Sequence, residues 1–217
     1  MRTNLLPEGS MRPSEFPEVQ SYPNLKRLLN IHIDMLFADM SRIMSQGCNF
    51  SAAALLMNII SGASVCFFDV SRDNPAAVFD SGRRGERFER LLGSYYPWTQ
   101  NEAMAKQECI LVLYNEIRNP LTHGLALDKP ALSPRRIEIA NVAGLSEAQV
   151  SELEGTYNRP PWVLPTFVRD VDPKEPSKIA LFVPALYWGV HRMLRDLFKD
   201  QTQARGGEAL AEFLLNP

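Results

Sequence analysis

Arg118-Asn119-Pro120-Leu121-Thr122-His123 places a permanent cation and a titratable imidazole one short turn apart, directly after a strongly apolar run and directly before Gly124. Cleaving an RNA phosphodiester without a metal needs that pair. A base must take the 2′-OH proton, an acid must protonate the leaving 5′-oxygen, and a cation must stabilise the added charge on a phosphorane-like transition state. Imidazole, with an ordinary pKa of about 6.5, serves as base or acid; guanidinium stays charged, and its planar fork grips phosphate oxygens. One motif carries one histidine. A two-fold dimer that brings two motif loops together would supply base and acid from different subunits.

Spacing alone proves little. With 17 Arg and 3 His in 217 residues, chance gives about 0.7 Arg-to-His pairs at comparable spacing. A second pair does occur, Arg27 to His32, inside an amphipathic helix pattern whose apolar positions are Leu25, Leu28, Leu29, Leu36 and Ile43. There His32 reads as a packed or edge histidine rather than a reactive one.

Context separates the two pairs. Before Arg118, the positions Ala103, Gln107, Ile110, Tyr114 and Ile117 form one helical stripe, and Leu111, Val112 and Leu113 make the middle apolar all round. The pattern predicts a central, buried helix over about residues 102–119. Pro120 has no N–H and biases Asn119 away from the α region, so the helix is expected to end or kink just after Arg118. Asn119 can then bond the backbone groups left at the break, and Gly124 can take a left-handed stop. The motif would lie where a buried element meets solvent, with Arg118 and His123 aimed into one cleft. The competing reading has no chemistry: Arg118 pairs with Glu116 or stacks on Tyr114, and His123 caps the broken helix.

The Arg-Asn-x-x-x-His string at the end of an apolar helix, in a helical chain of this length, resembles the HEPN superfamily (higher eukaryotes and prokaryotes nucleotide-binding). The resemblance implies an all-α, up-and-down bundle of four to five helices and a metal-independent endoribonuclease acting on RNA without a cofactor. Arg118 and His123 would be the catalytic pair, with Asn119 as the polar residue that commonly follows the Arg. It also implies a homodimer with its two His123 residues close together, and a toxin or phage-defence setting in which an antitoxin or regulatory protein is a partner. A non-catalytic helical module that dimerises or holds a nucleotide or partner is the alternative. The resemblance says little about residues 1–23 or 128–180.

At 217 residues and 45% apolar content the chain can bury one good core, and 16 Pro with 12 Gly point to helices joined by long irregular segments. A net charge of −2 argues against a general nucleic-acid coat protein; a nuclease needs only a local positive groove. Cys48, Cys66 and Cys109 lack disulfide or zinc spacing and read as small buried hydrophobes. No stretch approaches the roughly 20 uninterrupted apolar residues of a membrane span, and the first ten residues lack a signal-peptide core, so the expected setting is cytoplasmic with no membrane.

Residues 1–23, with Pro7, Pro13, Pro17 and Pro23, read as a flexible or wrapping arm, and residues 24–217 as one helical domain. A first helix is expected over 24–45 with Asn24 as a cap. A second, after Ser51, carries Leu55, Leu56, Ile59, Ile60, Ala63, Phe67 and Val70, with Gly62 and Ala63 small enough for a neighbour to approach closely. After a loop at 71–82, Arg83, Arg87 and Arg90 share one face opposite Phe88, Leu91 and Leu92. That stripe is either a solvated face balanced by Glu86 and Glu89 or a phosphate-binding surface beside the cleft. Seven prolines then mark an irregular insertion at 128–180. It carries a strand at 136–142, a short helix at 146–154 and a second strand at 162–168, a short β-hairpin and helix that cover the cleft or the bundle. The last core helix is expected over 180–199, with Leu186, Val190, Met193, Leu194 and Leu197, followed by an amphipathic tail after Gly207. His191, flanked by Trp188 and Arg192, reads as a packing histidine.

Overall fold

A computed structural model describes residues 11–68, 84–123, 136–140, 165–169 and 178–216. Proline sets where the first helix begins. Pro23 has no N–H to lose and a φ already suited to a first turn, so α1 starts there, with Tyr22 rather than Asn24 in the capping position. The helix runs through Pro23–Leu28, widens to π-type turns over Leu29–Ile33 and continues as Asp34–Ser45. Its first-turn N–H groups are capped from the far end of the chain: Glu208 Oε1 accepts from Asn24 N at 3.1 Å and Oε2 from Leu25 N at 2.7 Å.

Gly47, at φ 76°, turns the chain into α2, Asn49–Cys66. By length and apolar composition alone α2 could cross a bilayer. Here it packs against α1 and two later helices, burying Leu56, Met57, Ile59 and Ile60. Its small buried residues are Ala52, Ala53, Ala63 and Ser64, whereas Gly62 faces open space with no close neighbour, contrary to expectation. Helix α3, Arg84–Tyr95, buries Phe88, Leu91 and Leu92 as its periodicity predicts. Next comes α4, the motif helix, made of Lys106–Leu111, Val112–Arg118 and Asn119–His123.

The chain is mostly helical, as expected, with one small sheet among the described residues. Strands β1 (Arg136–Ala140), β2 (Phe167–Arg169) and β3 (Lys178–Phe182) form a sheet in the order β1-β3-β2. β1 runs parallel to β3, with Ile139 opposite Leu181, and β2 runs antiparallel to it, with Phe167 also opposite Leu181. The expected hairpin between the first two strands is therefore corrected: both flank β3, whose last residues fall where the last helix is expected. That helix, α5, starts later, at Val183–Lys199, because Pro184 fits a first turn and Phe182 before it stays extended. The 71–82 loop, Val70 and the 146–154 helix lie outside the described residues.

From Val183 to Val190 every residue of α5 is buried. The Tyr96 ring lies so close against Gly189 that no Cβ would fit, and its hydroxyl is 2.6 Å from Thr166 Oγ1. Residues 11–23 do not hang free. They form two short 3₁₀ turns, Pro13–Glu15 and Pro17–Val19, that put Phe16 and Val19 into the core. Helix α6, Gln201–Leu215, starts ahead of the expected tail, and its Gly207 is buried against Leu25 and Phe67.

Glu208→Ala leaves two helix N–H groups without their carboxylate and should cost about 1–2 kcal/mol in chemical denaturation. Glu208→Gln, which keeps one acceptor oxygen, should cost less. Unchanged midpoints for both would show that the cap contributes nothing.

Candidate functional site

Helix α4 begins at Lys106 behind Ala105, which is extended, and it does not stop at Arg118. It passes through Pro120 to His123, with Asn119 in the helical region at φ −65°, ψ −47°. A proline lacks the N–H for the preceding turn, and its ring crowds the carbonyl four residues back. The chain meets this by widening. Val112–Arg118 is π-helical, and Asn119 N–H reaches Tyr114 O, five residues back. The expected break is corrected to a π-widened, continuous helix. Gly124 lies outside the described residues.

This changes the motif's geometry. At about 100° per residue, position 123 stands about 140° around the helix from position 118, so the two share no helix face within one chain. That offset is a property of the helix backbone, and the His123 side chain lies outside what is described. Asn119, however, sits one turn before position 123. Its Oδ1 accepts a hydrogen bond from Arg118 Nη1 at 2.7 Å, so it serves a guanidinium rather than broken backbone. Arg118 is half-buried, and its guanidinium carbon lies 5.6 Å from the Tyr114 ring centroid. The cation therefore stacks toward Tyr114, as the competing reading allowed, while one nitrogen reaches sideways to the face Asn119 shares with position 123.

Tyr114 is braced in turn by α3. A Cβ on Gly85 would come within 2.8 Å of its hydroxyl, and its ring centroid is 5.3 Å from that of Phe88. Helical spacing puts Arg87 and Arg90 about 130–170° away from the Gly85–Phe88 face. By that spacing the two positions lie off the face that meets Tyr114, and Arg90 lies over Phe68, 5.3 Å from its centroid. Arg83 lies outside the described residues. The structure brings together Arg118, Asn119 and Tyr114. Nor is α4 central. It packs chiefly on α3, and its Leu111 is 40% exposed beside exposed Gln107 and Asn115, so the all-round apolar middle has one wet side.

The other histidines differ from each other. Arg27 and His32 are both exposed, so His32 is not packed. His191 Nε2 is 2.8 Å from Met11 O, and because a carbonyl only accepts, the imidazole donates from Nε2. Its ring meets Phe16 at 5.0 Å and Trp188 at 5.5 Å, both edge-on. Burial pulls its pKa below the usual imidazole value and Arg195 adds to this, against the opposing effects of the Met11 carbonyl and Asp34. This is a packing histidine, as its flanks indicate.

Among the cysteines only Cys109 is fully buried; Cys48 is exposed and Cys66 lies between. Burial, with Glu102 and Glu108 nearby, pushes the Cys109 thiol up to about 12. Glu102 also anchors β2 beside the start of α4, its oxygens accepting from Thr166 N at 3.0 Å and Phe167 N at 2.8 Å. Sequence reasoning missed this role because residues so far apart leave no spacing to read. Among the described residues no cluster of three His, Cys, Asp or Glu could hold a metal ion.

The His191 shift gives a signed pH dependence. Its folded pKa lies below its unfolded one, so the unfolded chain takes the proton first as pH falls past about 6.5. Stability present above that value is lost on acidification toward the folded pKa. Between about pH 7.5 and 5.5 the wild-type Tm should fall more than that of His191→Phe, which keeps a ring beside Phe16. Equal declines would disprove the assignment.

No protein-family model, no curated protein and no solved structure matches this chain.

Proposed function

We propose that the protein is a metal-independent endoribonuclease, a HEPN-like up-and-down helical bundle that cleaves RNA by 2′-OH transesterification at a site shared by two copies of the chain. The observation that carries this reading is Arg118, a half-buried cation held by Asn119 Oδ1 at 2.7 Å and backed by Tyr114, at the end of a π-widened helix that closes on His123. A guanidinium fixed in advance stabilises transition-state charge without reorganising at the moment of reaction.

In this mechanism His123 of one copy takes the 2′-OH proton and the 2′-oxygen attacks phosphorus. The bond to the 5′-oxygen breaks, and His123 of the other copy protonates that oxygen as it leaves. The products are a 2′,3′-cyclic phosphate and a 5′-hydroxyl. Two Arg118 side chains neutralise the phosphorane-like state. The 140° offset between positions 118 and 123, about 1.4 residue steps, supports a composite site, since one chain does not put both on one face. Arg83, Arg87 and Arg90 would hold the flanking RNA backbone rather than the scissile phosphate. A toxin or phage-defence role in the cytoplasm, with an antitoxin that covers the Arg118 surface, fits such an activity.

One observation favours a second reading. Arg118 already has partners in Asn119 and Tyr114, as it would in a non-catalytic dimerisation or nucleotide-binding module.

Purified protein should cleave a mixed-sequence RNA in excess EDTA and leave 2′,3′-cyclic phosphate ends. His123→Ala and Arg118→Ala should each slow cleavage by at least about 100-fold while leaving fold and oligomeric state unchanged. Folded, dimeric wild type that cleaves no RNA would favour the binding module.

A further inference from the structure

A cleft of about 140 Å³ opens between the amino-terminal arm and helices α1 and α5, far in sequence from the Arg118 motif. At its base is Asp34, only 6% exposed. Both carboxylate oxygens are occupied by one neutral residue: Oδ1 accepts from Ser14 N at 3.1 Å, and Oδ2 accepts from the Ser14 hydroxyl. Among the described residues no cationic side chain lies within ion-pair distance of it. A buried carboxylate is ordinarily matched by a cation, because two neutral donors offset only part of its lost hydration.

The walls suit a cation too. Phe37 and Tyr187 meet edge-on with centroids 5.2 Å apart, and the His191 ring stands 5.7 Å from Phe37. Burial keeps His191 toward its neutral form, so it presents an aromatic surface rather than a competing charge. An anionic base with aromatic sides attracts ammonium groups both through the carboxylate and through the ring quadrupoles. The one cation on the lining, Arg12, is exposed. Water and salt screen its charge far more than that of buried Asp34, and Arg195, whose charge also reaches His191, is paired with Glu18 at 3.4 Å.

We propose that this cleft binds a small organic cation, a primary or quaternary ammonium. A cavity of about 150 Å³ admits a ring of six heavy atoms, so a tetramethylammonium ion is the right size for a probe. The proposal does not depend on the ribonuclease reading.

The test is calorimetric titration of the full chain, at constant ionic strength, with tetramethylammonium chloride, its neutral analogue tert-butanol, and sodium acetate. Tetramethylammonium should bind saturably and at least about tenfold more tightly than tert-butanol. Asp34→Asn, which keeps an acceptor for Ser14 N–H, should abolish that preference. Arg12→Ala should tighten binding by removing a like charge. Ala38→Leu fills a wall of the cleft and should block binding with Tm unchanged, so the question does not hang on whether the Asp34 variant folds. Equal affinity for the charged and neutral probes would overturn the proposal. So would preferential acetate binding weakened by Arg12→Ala, binding that survives Ala38→Leu, or no tetramethylammonium binding up to about 100 mM.

Discussion

A helix segment buried on all sides leaves solvent no face to touch, so every neighbouring element must present apolar surface to it. Val183 to Val190 of α5 is such a segment, and it organises this chain. Helices α2 and α3 pack on α5, and the hydroxyl end of the Tyr96 ring, in the segment after α3, lies against Gly189. β3 leads directly into it, which fixes the sheet beside its first turn. The side that remains is closed by the arm, through contacts of both 3₁₀ turns with α5 and the Phe16 ring edge-on to His191. Pro13–Glu15 and Pro17–Val19 thus supply the cover that α5 needs there.

Helix α4 obeys a different constraint. It leans on α3 with one wet side, and a proline sits in its last turns. Widening the preceding turns keeps the helix going, and that continuity sets where Arg118 stands relative to Asn119 and to position 123. Tyr114 works as a strut: Gly85 and Phe88 fix the ring on one side, and the Arg118 guanidinium rests toward the other. A charged group held this way loses little further freedom when it meets a phosphate.

What the sequence made legible was burial with a helical period. Phe88, Leu91 and Leu92, and again Leu186, Val190, Met193, Leu194 and Leu197, are buried where their spacing placed them. β1 was legible from alternation. β3 was not, because Ile179 to Phe182 is a short apolar run that serves helix and strand equally well. The arm's contribution was hidden because two core residues, Phe16 and Val19, make no pattern. In the candidate site the residue types were readable and the geometry was not. Pro120 argued for a break on local grounds, and a π-widened turn overrode it. The cleft at Asp34 left no sequence signal, since its walls come from the arm, α1 and α5.

Glu208 meets Asn24 across 184 positions of chain. During synthesis at about 5–20 residues per second, the first helix therefore waits on the order of ten to forty seconds for its capping carboxylate to exist. Throughout that time its leading N–H groups are served by water alone. This contact cannot form before residue 208 has been added, and a ribosome that stops short of it releases a chain whose first described helix stays unsealed.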